Sequence, residues 1–170
     1  CEVKADYTSS CLAVDDLVTQ ISVWYDYKCK ISIGGALSCW GSNGWWQLDV
    51  PAWIGSVLQV TAWMAHTCAI RADNNNVECW GSNQYGEINV PSDLGAVTQI
   101  STRWYHTCAI KTDGTLRCWW NNQFGEKNVP SDLGTVIDVS AGQSHTCAIK
   151  TNWSLKCWGY NYFGQLNIPS

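Results

Sequence analysis

The chain is short of charge, of helix signals and of catalytic groups. Only 14% of its 170 residues are Asp, Glu, Lys or Arg, and it holds one Met, two Phe and three His. A formal net charge of −4 leaves no basic footprint for nucleic acid, which removes polyanions as partners. No apolar run approaches the ~20 residues of a membrane-crossing helix, so membrane insertion by a helix is excluded. Gly, Pro and Asn-rich turns arrive too often for a helix of ordinary length. No Gly-rich phosphate loop, Ser-His-Asp order or paired carboxylates occur, so neither an enzyme nor a cofactor is expected. There is also no initiator Met and no signal-peptide pattern, which marks the chain as a processed product or a fragment.

What is plentiful is Trp, with twelve, and Cys, with ten. An even number of regularly spaced cysteines favours a disulfide framework and an oxidising, extracellular location, secreted or at the cell surface. Zinc is the rival reading. Structural zinc sites pair ligands about two to four residues apart, whereas these pairs are wider, and no metal is expected.

The organising stretch is His106-Thr107-Cys108-Ala109-Ile110-Lys111-Thr112-Asp113-Gly114-Thr115-Leu116-Arg117-Cys118-Trp119. Two runs of β-formers flank a Thr-Asp-Gly turn, which predicts a hairpin. With Cys108 opposite Cys118, Ile110 faces Leu116, and a cross-strand disulfide becomes geometrically reasonable. Trp residues that follow the second hairpin cysteine stand at 40, 80, 119 and 158, a period close to 39 residues. The predicted pairs are Cys1–Cys11, Cys29–Cys39, Cys68–Cys79, Cys108–Cys118 and Cys147–Cys157. Between hairpins lie a polar Gly turn, a Val-Pro linker and a β-branched strand such as Val97–Ser101, Val136–Ser140 or Val18–Ser22. The expected organisation is a single repeat domain over 1–170. A partial blade at 1–11 precedes repeats at 12–39, 40–79, 80–118 and 119–157, and a partial connector follows at 158–170. Units of three strands and no helix cannot bury their faces alone, so they must stack, radially as propeller blades or linearly as a solenoid.

The run Val139-Ser140-Ala141-Gly142-Gln143-Ser144-His145-Thr146-Cys147-Ala148-Ile149-Lys150, followed by Leu155-Lys156-Cys157-Trp158-Gly159-Tyr160-Asn161-Tyr162-Phe163-Gly164-Gln165-Leu166, resembles the RCC1-type repeat. Repeat length and the Val-Pro-Ser linker are similar to the bacterial β-lactamase-inhibitor-protein-II-like branch of that superfamily. The resemblance implies an all-β propeller of three-stranded blades, seven to a ring in that branch. Four full repeats plus an N-terminal hairpin fall short of seven. Either the ring is smaller, or the chain is part of one, or units continue from molecule to molecule through incomplete end blades.

His66, His106 and His145 share one repeat position, which favours a structural hydrogen bond within the blade over catalysis or metal binding. The four repeated Trp residues favour packing between blades, as do Trp45, Tyr85, Phe124 and Phe163 in the turns. Differences between copies are more informative. Where the fourth repeat has Gly142-Gln143-Ser144, the others carry Trp24-Tyr25-Asp26, Trp63-Met64-Ala65 and Arg103-Trp104-Tyr105. By resemblance the corresponding loops line one rim. Trp24, Tyr25, Trp63, Met64, Arg103, Trp104 and Tyr105 are therefore the candidate surface for a protein or glycan; filling a tight ring is the competing use of the same side chains. Trp46 and Trp120 replace glycines of the sister repeats and are candidate subunit contacts. Asn152-Trp153-Ser154 is a glycosylation sequon at Asn152. The expected function is non-enzymatic extracellular recognition, with a head-to-tail structural assembly or filament as the alternative.

Overall fold

The structure, a computed structural model, describes residues 2–3, 9–10, 17–84, 86–104 and 106–169. Those residues contain strands and turns but no helix. β1 (Glu2–Val3) pairs with β2 (Ser9–Ser10). Four three-stranded antiparallel sheets follow, each with its middle strand between the other two. Blade one is β3 (Val18–Trp24), β4 (Tyr27–Ser32) and β5 (Leu37–Gly41). Blade two is β6 (Val57–Trp63), β7 (His66–Arg71) and β8 (Val77–Gly81). Blade three is β9 (Val97–Arg103), β10 (His106–Lys111) and β11 (Leu116–Trp120). Blade four is β12 (Val136–Ala141), β13 (His145–Lys150) and β14 (Leu155–Gly159).

The hairpin register is the expected one, with Cys108 opposite Cys118 and Ile110 opposite Leu116. Each blade carries one disulfide: Cys29–Cys39, Cys68–Cys79, Cys108–Cys118 and Cys147–Cys157, with Cα atoms 4.0–4.1 Å apart. The predicted Cys1–Cys11 pair lies outside the described residues. First strands are longer than the sequence suggested, because residues 23–24, 62–63 and 102–103 also pair with the middle strand. A bulge near the start of each first strand shifts its register.

Blades stack through apolar rows. Tyr27, Cys29 and Ile31 of blade one pack on Val57, Val60, Ala62 and Trp80 of blade two. Cys68, Ile70 and Val77 pack on Val97, Ile100 and Trp119, and Cys108 and Ile110 on Val136, Val139 and Trp158. Every full seam thus buries a disulfide, an Ile, a Trp and the β-branched face of the next first strand. The linker closes the seam from outside: Ile54, Leu94 and Leu133 are buried, each donating its N–H to the carbonyl of the proline three residues earlier. A second clamp joins hairpin turn to next blade, with Val57, Val97 and Val136 N–H donating to Gly35, Asn75 and Gly114 carbonyls at 2.9 Å.

Polar side chains bind the first strands to one another. The Val60 N–H donates to Gln20 Oε1 and the Ala62 N–H to Ser22 Oγ, both at 2.8 Å. Gln59 grips Ile100 twice, donating from Nε2 to its carbonyl at 2.9 Å and accepting from its N–H at 2.8 Å. Ser101 Oγ accepts from Ala141 N–H at 3.0 Å, and Gln99 Nε2 donates to Asp138 Oδ1 at 2.6 Å. Backbone donors at each strand edge are thereby satisfied by the preceding blade instead of by water.

Candidate functional site

The first strands converge at their C-terminal ends, and there the odd residues of the sequence meet. Trp24, Trp63 and Arg103 were expected in loops. They are instead the last residues of β3, β6 and β9, paired with Tyr27, His66 and His106 across two-residue turns. Met64 opens its turn with φ of 47°, the left-handed conformation that tight hairpins require. The twist of the stacked blades brings three indoles together: Trp24 and Trp63 with ring centroids 3.5 Å apart, and Trp104 at 6.2 and 6.4 Å from them. The Arg103 guanidinium lies 4.4 Å over the Trp63 ring, a cation–π contact that holds its charge at the rim. Tyr25 is 94% exposed beside this cluster and Met64 41%. Tyr105 lies outside the described residues. Of the seven candidates, six are therefore placed, and they form one continuous surface on blades one to three.

The turn aromatics behave differently from the repeated Trp. Trp80, Trp119 and Trp158 are buried in the seams as expected, but Trp45, Phe124 and Phe163 are exposed, and Trp40 too. The reason is local: the side chain of Gln47, Glu126 or Gln165 accepts the backbone N–H two residues before it, at 2.7–2.9 Å, and this closes the turn without the ring. Tyr85 lies outside the described residues. The ring of Trp45 is free to line a cleft together with Trp104, Met64 and Ala65. The pattern did contain this signal, since an aromatic recurs before each Gly-Gln or Gly-Glu turn, but periodicity alone does not separate packing from display.

Of the three histidines, His106 bridges a seam to the next blade. His106 Nε2 lies 2.7 Å from Thr146 Oγ1 of blade four, and that hydroxyl donates to the Glu126 carbonyl at 2.8 Å. Blade one has Tyr27 in this position, whose hydroxyl donates to the His66 carbonyl at 2.5 Å and lies 3.3 Å from Thr67. Burial pushes the Tyr27 hydroxyl up to about 12. Burial likewise lowers His66 to about 4 and His106 to about 4, so both are neutral at pH 7. No group of three metal-ligating side chains is assembled among the described residues. Trp46, with φ of 60°, points outward on the blade-one turn, and Asn152 is exposed, its Oδ1 accepting from the Ser154 N–H and hydroxyl.

Residues 97–126 and 136–165 match the regulator of chromosome condensation (RCC1) repeat. No curated protein matches the sequence. Among solved structures, Prp20p from Saccharomyces cerevisiae superposes with a TM-score of 0.74 at 17% identity, over 90% of this chain and 48% of its own. The ectodomain of the Physcomitrella patens receptor kinase CR4 gives 0.70 at 24% identity, over 92% and 45%. Human WBSCR16 gives 0.70 at 18% identity, over 85% and 47%. The chain thus spans about half the length of each. These likenesses show the propeller fold; the repeat match is to the RCC1 repeat at large and adds nothing on the inhibitor-protein-II-like branch.

Proposed function

We propose that this chain of RCC1-type repeats is a non-catalytic recognition module that works outside the cell, holding a protein or glycan partner against the aromatic rim of blades one to three. The observation that carries this reading is the convergence of Trp24, Trp63 and Trp104 with Met64 and Arg103 at one end of the stacked first strands. Indole and guanidinium groups are the usual anchors of protein interfaces, because they bury much area at little entropic cost. Blade four lacks the cluster, carrying Gly142-Gln143-Ser144, so the surface is a feature of three blades and not a by-product of the fold. A protein partner is favoured over a glycan by the fold's relatives, since Prp20p is described with binding properties to Gsp1p and histones and in a complex with Kap60. An extracellular setting is supported by a disulfide in every blade and by the receptor ectodomain among the similar structures. The test is quantitative capture from secreted proteins. A partner retained by the full chain and by Trp153→Ala, on an exposed turn elsewhere, and lost from Trp63→Ala supports the rim; equal retention by all three refutes it.

A second reading, head-to-tail assembly of copies, is favoured by one observation. Val18, Ile21 and Val23 are at least 50% exposed, whereas their counterparts Val57, Val60 and Ala62 in blade two, and Val136, Val139 and Ala141 in blade four, are under 5%. Blade one therefore presents the face that blades two to four bury. It also carries Lys28 and Lys30 where the others have Thr and Ala, so a partner blade must accommodate two ammonium groups. Sedimentation velocity reads the outcome: a concentration-dependent oligomer abolished by Ile21→Asp supports assembly, and an invariant monomer refutes it.

A further inference from the structure

The seam between blades two and three departs from its neighbours at several points, and two of the residues involved, His66 and Trp120, line one cavity. In the seams on either side, a carbonyl accepts two hydrogen bonds: Gln47 from Thr67 Oγ1 at 2.9 Å and Trp80 Nε1 at 3.0 Å, and Glu126 from Thr146 Oγ1 and Trp158 Nε1 at 2.8 and 2.9 Å. In the middle seam the matching donors, Thr107 Oγ1 and Trp119 Nε1, are buried without partners, and so is His66 Nε2. The strand-end glycine of the sister repeats, Gly41, Gly81 or Gly159, is here Trp120, in a left-handed backbone with φ of 92°. The Trp120 ring stands perpendicular to the His66 ring, with centroids 5.1 Å apart.

Beside His66 lies a cavity of about 130 Å³ whose walls include Trp45, Trp104, Trp120 and Met64, with Glu87 in its lining. It is on the order of four water molecules at about 30 Å³ each. His66 is 1% exposed, and its unpartnered Nε2 belongs to a ring that forms part of this wall. Among the described residues, neither this cavity nor the hollow that continues from it past Trp24 and Asp26 has Lys or Arg in its lining. Indole faces carry negative potential, the imidazole is neutral, and the one formal charge at the cavity wall is a carboxylate.

We propose that the cavity of Trp45, Trp104, Trp120 and Glu87 is a binding site for a quaternary ammonium head group. Three indoles supply cation–π attraction, Met64 supplies polarizable contact, and Glu87 supplies the counter-charge. A neutral group of the same shape would gain the apolar contact but not the electrostatic one. An anion would face a carboxylate with no base beside it. The chemistry has two sources, a small choline-like molecule or a trimethylated lysine of a protein. The cavity shares Trp104 and Met64 with the rim, but Glu87 and Trp120 are not among the rim anchors, so variants at those two positions test the cavity separately.

Isothermal titration of the full chain with choline, with N-acetyl-trimethyl-lysine amide and with 3,3-dimethylbutanol, the uncharged isostere of choline, tests it. The expected result is that at least one of the two ammonium probes binds and the isostere binds at least ~10-fold more weakly. Choline alone identifies a small-molecule ligand, and trimethyl-lysine identifies a protein side chain. Trp120→Gly and Glu87→Gln each restore the residue of a sister repeat, Gly81 and Gln47, so both variants are expected to fold, with near-ultraviolet circular dichroism as the check. Each should weaken the ammonium probe about tenfold, whereas Trp153→Ala, on an exposed turn of blade four, should leave it within about twofold. Equal binding of the isostere, no binding of either ammonium, or an unchanged Glu87→Gln variant overturns the proposal.

Discussion

Mild acid should loosen this protein through two buried imidazoles, and the size of the effect follows from their surroundings. His66 and His106 titrate near 6.5 when unfolded and about 4 in the folded chain, because burial disfavours the imidazolium. The unfolded chain therefore binds more protons between those two values. Stability contributed by the neutral imidazoles is fully present above about pH 6.5 and is lost as pH falls toward 4. Between pH 7 and 5 the linkage amounts to about 2 kcal/mol for each histidine. Asp73, Asp113 and Asp132, whose carboxyls are held low first of all by hydrogen bonds from Arg71, Thr115 and Lys156, remain ionised over that range and do not contribute. Urea unfolding at the two pH values should show a loss of about 4 kcal/mol from the pair. His66→Tyr copies the residue that blade one uses at this position, Tyr27, and should halve the loss. An unchanged pH dependence in His66→Tyr, or no pH dependence in the parent, would refute the reasoning.

Three further outcomes are expected. Gln59→Ala removes both bonds to the buried Ile100 backbone and should cost about 2 kcal/mol by urea unfolding, against a few tenths for Thr115→Ala on an exposed turn. Gly81→Ala puts a Cβ 2.4 Å from the Ala65 carbonyl oxygen at φ of +105°, and the melting temperature should fall as expected for a loss of more than about 1 kcal/mol. Reduction removes about 3 kcal/mol of loop constraint per hairpin; across four blades that approaches the whole stability of an ordinary domain, so reductant should unfold the chain at 37 °C, as read by circular dichroism.

Much of the fold is legible in the sequence because hairpin chemistry is local. Cys, two β-formers, a three-residue turn and Cys again fix the register within a dozen residues, and the period of the Cys-Trp pairs gives the stacking. The bridging of His106 to Thr146 is not legible, since it joins residues forty apart whose alignment depends on the angle between blades. The rim was readable as a contrast between copies: Gly142 marks what the fold needs, and Trp24, Trp63 and Arg103 mark an addition. That these three end strands instead of lying in loops is not legible, because a β-branched pattern stops at residue 22 or 101 while the pairing continues. The exposure of Trp45, Phe124 and Phe163 is hidden from the sequence for a related reason. Aromatic repetition suggests packing, and only the hydrogen bond from the backbone at 45, 124 and 163 to a neighbouring amide or carboxylate shows that the turn holds without the ring. The cavity at His66 lies further still from the sequence, since its walls join Trp45, His66, Glu87, Trp104 and Trp120, which only the stacking of blades brings together.

The rim is the centre of the account, and hydroxyl-radical footprinting of the full chain with and without a captured partner tests it most directly. Bound partner should protect Trp24, Trp63, Met64 and Trp104 while Trp153 and Tyr162 on other exposed turns stay as reactive as before. Protection confined to those other turns, with the four rim side chains unchanged, would contradict it.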